Sequence, residues 1–241
     1  MRNNMKKGIL SVVTLGIVYF WGAATVQYSL FPYEYVVKLK NSLKKDTDTI
    51  KRSPYYLHKV SQFNKLMSNN DYSIVMIGDS ITDGAEWHEL LNLSTIQNRG
   101  IGGDTTDGVL ERLNSINSNI KNAFLMIGIN DFSGYKSVDD VFSNYLKIID
   151  ELENKKIKVY IQSTLYVGKT ITSMRNYNEN VFKLNTKLKN YSEKNNLVFI
   201  DLNKLLAPNG YLEDTYSIDG VHLNGDGYII WAKILEKYIK N

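Results

Sequence analysis

Apolar positions along the 241-residue chain fall into three kinds of run. The first is long and unbroken. Gly8–Val26 is mostly apolar, and no charged residue stands between Gly8 and Tyr33. Nineteen residues at helical rise span roughly 28 Å, close to the hydrocarbon thickness of a bilayer. The second kind is short and mostly unbroken: Ser73–Ile77, Thr95–Gln97, Ala123–Ile127, Val159–Gln162 and Leu197–Ile200. Continuous short runs, rather than alternating ones, predict strands buried on both faces of a parallel sheet. The third kind recurs at helical spacing. Ser53-Pro54 is a helix start, followed by Tyr56, Val60, Phe63 and Leu66, and predicts a helix to about Met67. Further helices are predicted near Glu86–Leu91, Thr106–Ile116, Val138–Asn154, Asn178–Lys194 and Asp226–Ile239. Alternating β and α elements predict a single α/β domain, a three-layer sandwich around a mainly parallel five-stranded sheet. In such folds ligands bind at the carboxyl ends of the strands.

The long run is expected to be a signal anchor. Arg2, Lys6 and Lys7 precede it, which favours a cytoplasmic N-terminus with the rest of the chain translocated. A cleaved signal peptide ending near Gly22-Ala23-Ala24 and a buried core helix are the alternatives; the length exceeds the usual 7–15-residue signal core, which favours the anchor. The chain then divides into an anchor (1–32), a basic juxtamembrane stalk with a leading helix (33–70) and an α/β domain (71–241) on the extracytoplasmic side.

Charge agrees with this division. The first 60 residues hold ten basic side chains against three acids, and the remaining 181 hold 19 against 22. The pI near 8.9 therefore describes the membrane-proximal segment, and a basic nucleic-acid groove on the domain loses its support. With no cysteine and only three histidines, a thiol nucleophile and Cys-ligated metal are excluded and a His-rich metal site is disfavoured. No metal or cofactor is expected.

Four motifs fall at strand ends or before the last helix. Gly78-Asp79-Ser80-Ile81-Thr82-Asp83-Gly84 places a serine on a tight turn, exposed for attack; its bland reading is an N-cap. Asn98-Arg99-Gly100-Ile101-Gly102-Gly103-Asp104-Thr105-Thr106 lets backbone N–H groups approach a ligand, or is merely a capped turn. Its half-match to a dinucleotide fingerprint follows the second strand instead of the first, and is weak. Gly128-Ile129-Asn130-Asp131 offers an amide donor, or a turn. Asp219-Gly220-Val221-His222 lets a carboxylate reach the imidazole Nδ1 and leave Nε2 as a base, although an isolated Asp-x-x-His is commonly a surface hydrogen bond. Trp87 and Asp104 are candidates for substrate contact, weighed against core packing and helix capping. Arg99 and Arg175 are weaker candidates for an anionic substrate, Tyr166–Arg175 is a candidate rim, and His58 and His88 read as structural or exposed.

In order and context these blocks resemble the SGNH (GDSL-type) serine hydrolase family, over about Asp71 to Lys240. The first three look closest to its platelet-activating-factor acetylhydrolase-like and carbohydrate-esterase-like branches. The resemblance implies Ser80 as nucleophile, His222 as base and Asp219 as orienting acid. It implies an oxyanion hole of the Ser80 N–H, the Gly103 N–H and the Asn130 amide. Ser163-Thr164-Leu165-Tyr166-Val167 lacks the proline common there in relatives. The implied activity is hydrolysis of short acyl esters, O-acetyl on a glycan foremost. A lysophospholipase or thioesterase, an O-acyltransferase and a catalytically silent glycan-binding module are the alternatives.

Overall fold

A computed structural model describes residues 52–68, 71–171 and 176–239. The apolar run Gly8–Val26, with the anchor expected there, lies outside these residues, as does Arg175. No helix among the described residues is long and apolar enough to cross a membrane. Residues 52–241 form a compact unit of their own.

Five strands, β1 (Ile74–Gly78), β2 (Ile96–Gly100), β3 (Asn122–Met126), β4 (Lys158–Gln162) and β5 (Val198–Ile200), make one sheet in the order β2-β1-β3-β4-β5. All four pairings are parallel. The side-chain period of two divides each strand between two cores. Val75, Ile77, Ala123, Leu125, Val159 and Ile161 face one, with Tyr145, Ile148, Leu184 and Leu188. Ile74, Met76, Phe124, Met126 and Tyr160 face the other, with Ile81, Trp87, Trp231 and Leu235. This is the three-layer sandwich expected from the unbroken apolar runs.

Nine helices are described: α1 (Pro54–Lys65), α2 (Ser80–Asp83), α3 (Trp87–Leu91), α4 (Thr106–Glu111), α5 (Ile129–Ser133), α6 (Val138–Asn154), α7 (Tyr177–Lys194), α8 (Asn203–Leu206) and α9 (Gly225–Ile239). α1 starts where Ser53 predicts, its side chain accepting the Tyr56 N–H at 3.1 Å. Its Tyr56 and Phe63 are buried with Ile101 in a small core of their own, while Leu66 is exposed.

The strand order places the site. The chain leaves β1 toward β2 on one side and returns to β3 on the other, so the crevice between β1 and β3 is a topological switch point. Gly78 is in register with Gly100 and with Met126, so three successive loops leave the sheet at one height.

Candidate active site

The nucleophile candidate is set by a capped turn. Asp79 Oδ1 accepts the Ile81 N–H at 3.0 Å, which starts α2 at Ser80. From α9, the Tyr228 hydroxyl donates to the Ile81 carbonyl at 2.9 Å and ties the turn to the C-terminal motif. Asn98, in the middle of β2, braces the same turn with its amide N–H₂ on the carbonyls of Thr82 (3.0 Å), Asp83 (3.1 Å) and Ala85 (3.2 Å). Gly100 is needed because a β-carbon there would lie 2.2 Å from the Asp83 nitrogen.

The C-terminal motif divides one carboxylate between two tasks. Asp219 Oδ1 accepts the backbone N–H groups of Val221 (2.9 Å) and His222 (2.8 Å), and so closes the turn. Its Oδ2 lies 2.6 Å from His222 Nδ1, and His222 Nε2 lies 3.0 Å from Ser80 Oγ. The structure thus brings Ser80, His222 and Asp219 into one hydrogen-bonded line across 142 residues of sequence. Burial raises the Asp219 carboxyl, but the hydrogen bonds from His222 and Val221 outweigh it and bring it to about 2. Asp219 is therefore ionised at neutral pH.

The donor candidates sit on the neighbouring loops. Gly103 has φ of +74° in a turn closed by Asp104 N–H to the Ile101 carbonyl at 3.1 Å. A β-carbon on Gly103 would meet nothing within 4 Å, so this turn faces open space. Asn130 opens toward the same loop, and one of its amide hydrogens goes to the Asp104 carbonyl at 2.9 Å.

Two of the candidate substrate contacts need correction. The Asp104 side chain is fully buried and paired with Arg112 (Nε to Oδ2, 2.8 Å), which leaves no carboxylate for a substrate. Trp87 is 1% exposed, donates Nε1–H to the Thr82 carbonyl at 3.0 Å and packs edge-on against Trp231. It is core. Arg99 is also buried, its guanidinium 4.5 Å from the centre of the Phe63 ring. His58 and His88 are exposed, bonded to Gln62 and to the Leu93 carbonyl. The described part of the candidate rim meets the C-terminal motif at Gly220, whose carbonyl accepts the Gly168 N–H at 2.7 Å and beside which Thr170 and Ile171 lie. A groove of about 640 Å³ lies farther along the sheet, among Tyr166, Phe182, Phe199 and Asp201, without Ser80 or His222 in its lining.

Sequence reasoning did not identify Asp131 as an acid that braces the loops. Asp131, noted there only as a turn residue, is buried and accepts the Thr106 N–H (2.9 Å) and hydroxyl (2.6 Å), joining the third motif to the second. Asp79 is wholly buried. Desolvation pushes its carboxyl up to about 7, opposed by the Ile81 N–H and reinforced by Asp104 and Asp131. The folded carboxyl thus holds its proton more tightly than the unfolded one. Its contribution to stability is intact below about pH 4, declines as pH rises toward 7, and is level above. Asp79→Asn keeps the acceptor and removes the titration. The variant is expected to gain on wild type by on the order of 3 kcal/mol between pH 4 and 8, several degrees in Tm. A difference in Tm that does not vary with pH would show that Asp79 is not the titrating group.

Residues 76–230 match the GDSL-like Lipase/Acylhydrolase family model. Over 155 residues the chain is 30% identical to an N-acylneuraminate cytidylyltransferase of Streptococcus agalactiae serotype V. The match covers 64% of this chain, which spans only about a third (35%) of the length of that relative. Among solved structures, a Streptococcus pneumoniae protein named for platelet activating factor is 26% identical with a TM-score of 0.70. That alignment covers 85% of this chain and 98% of the other. An acetyl-xylooligosaccharide esterase of Geobacillus shares the fold at 21% identity and a TM-score of 0.57, over 71% of this chain and 97% of its own.

Proposed function

The chain belongs to the GDSL-like lipase/acylhydrolase family of ester-hydrolysing enzymes, and from that premise we propose a serine esterase that removes short acyl groups, O-acetyl foremost, from a glycan. The observation that carries the catalytic part is the Ser80–His222–Asp219 line, at 3.0 and 2.6 Å. His222 Nε2 takes the Ser80 proton as Oγ attacks the ester carbonyl, while ionised Asp219 holds the imidazole with Nδ1 protonated. The N–H groups of Ser80 and Gly103 and the second amide hydrogen of Asn130 receive the oxyanion. The alcohol leaves with the proton from His222. Water then attacks the acyl-serine, gives its proton to His222, and the acid departs as Ser80 is reprotonated.

A sugar as the alcohol part is favoured by the alignment with a relative whose named substrate, an N-acylneuraminate, is a sugar acid. The fold is shared with a protein named as an acetyl-xylooligosaccharide esterase, which supports an acetylated sugar as the substrate. The apolar run Gly8–Val26 supports a membrane anchor with the domain on the extracytoplasmic face. One observation favours a lipid ester instead: Ile218, next to Asp219, is 72% exposed. Full-length chain assayed on p-nitrophenyl esters from acetate to palmitate, and on O-acetylated sugars, separates the two. Turnover is expected to be highest on acetyl esters. A maximum at long chains would replace the glycan reading with the lipid one, and no turnover on any ester would remove both.

A further inference from the structure

α1 precedes the region matched by the family model, yet it reaches the site. The Tyr55 hydroxyl donates to Asp83 Oδ2 at 2.6 Å, and Lys59 Nζ reaches Asp83 Oδ1 at 2.6 Å. Asp83 Oδ2 also accepts the Gly102 N–H at 3.1 Å. A β-carbon placed on Gly102 would lie 3.4 Å from the edge of the Tyr55 ring, so ring and loop are in contact. α1 is itself anchored, by Arg52 in a bidentate pair with Glu111 (2.8 and 2.6 Å) and by the Tyr56 hydroxyl on the Gly108 carbonyl at 2.8 Å.

The turn this clamp grips is mechanically soft. Gly102 and Gly103 are its two central residues, between the Ile101 carbonyl and the Asp104 N–H that close it. Type I and type II turns differ by rotation of that central peptide, and two glycines oppose neither form sterically. The direction of the Gly103 N–H therefore depends on what holds the Gly102–Gly103 peptide. The observed φ of +74° at Gly103 is one of the two choices; Asp83 does not hold the rotating peptide itself but fixes, through the Gly102 N–H, the Ile101–Gly102 peptide from which it turns.

We propose that Tyr55 and Lys59 are positioning residues for the reaction: through Asp83 they clamp the Gly102 amide and keep the Gly103 N–H directed at the oxyanion. This rests on the esterase reading, with Gly103 as a donor. It makes a helix outside the matched region part of the catalytic apparatus and gives α1 a task beyond joining the domain to the N-terminal segment.

The test is Tyr55→Phe in the full chain, which keeps the ring and removes the donor. Turnover of an acetyl ester is expected to fall about tenfold with KM within twofold, less than the loss from deleting a donor outright. Labelling of Ser80 by a fluorophosphonate, whose phosphoryl oxygen uses the same donors, is expected to slow in parallel. Lys59→Met should lower kcat in the same manner by a smaller factor. Asp83→Asn combined with Tyr55→Phe should lose little more than Asp83→Asn alone, because both act through one carboxylate. Leu57→Ala, on the exposed side of the same helix, should leave both rates unchanged. Wild-type kcat in Tyr55→Phe, or an equal loss in Leu57→Ala, overturns the clamp while leaving the esterase reading standing. A wild-type chain that neither hydrolyses esters nor labels overturns both.

Discussion

Ser80→Ala is expected to lower ester turnover by about 10⁵–10⁶ and to abolish fluorophosphonate labelling, with Tm nearly unchanged. The size of the effect follows from the line of hydrogen bonds. His222 Nε2 has Ser80 Oγ at 3.0 Å as its partner, and without that oxygen there is no group for it to deprotonate. The residual rate would come from the oxyanion donors and from binding, which survive the substitution. His222→Ala should cost about as much, and the double variant little more than either alone, because the two act as a unit. Additive losses would mean that the 3.0 Å contact is not the one used in the reaction. Folding is expected to be spared because Ser80 is only half-buried and Asp79, not Ser80, caps the turn.

How much of this was legible in the sequence depends on how far the responsible contact reaches. The Asp219–His222 pair closes within one turn, so spacing made the contact readable, while its role came from the family resemblance. Strands β1 and β3 could be read because their runs are apolar on both faces. β2 was read only to Gln97 but continues to Gly100. Asn98 and Arg99 look like loop residues, yet Asn98 satisfies three carbonyls of the turn after β1 and Arg99 stacks on Phe63. The helix predicted over Thr106–Ile116 stops at Glu111, where Arg112 turns its side chain inward to Asp104 and to the Gly78 carbonyl. α5 and α8 have five and four residues, too few to show a period.

The acids show the limit most clearly. Asp79, Asp83, Asp104 and Asp131 all stand in the four sequence motifs, where a carboxylate beside a glycine-rich loop can also read as a ligand. In the fold each one braces a loop. Asp79 holds the Ile81 N–H, Asp83 the Gly102 N–H, Asp104 Arg112, and Asp131 Thr106. Their partners lie 2 to 25 residues away, and Tyr55, which completes the Asp83 clamp, is 28 away. Local spacing marks only the Asp79 pair, two residues apart; the others are not marked by it. Burial decides between a bracing acid and a reacting one, and burial is a property of the packed sheet. Of the acids in the four motifs, Asp219 alone both closes its own turn and reaches the imidazole.

Asn130→Ala is expected to lower kcat by about 10²–10³, with KM changed by no more than a few-fold. The asymmetry between the two constants follows from when the donor acts. A ground-state ester carbonyl carries little charge, whereas the tetrahedral oxygen carries nearly a full one, so the amide contributes mainly in the transition state. The Asn130 side chain is aimed by its own bond to the Asp104 carbonyl, and Asp104 is fixed by its buried pair with Arg112. That support means the donor is set before substrate arrives, which is where such donors derive their effect. Removing it also leaves the Asp104 carbonyl without the Asn130 donor, at about 1–3 kcal/mol, so a modest fall in Tm should accompany the loss of rate. Asn130→Asp separates the two effects. It preserves the shape but presents an acceptor both to the oxyanion and to the Asp104 carbonyl, so its kcat should be no higher than that of the alanine variant. Turnover near wild type in Asn130→Ala would remove Asn130 from the oxyanion hole and leave its bond to the Asp104 carbonyl as its whole role.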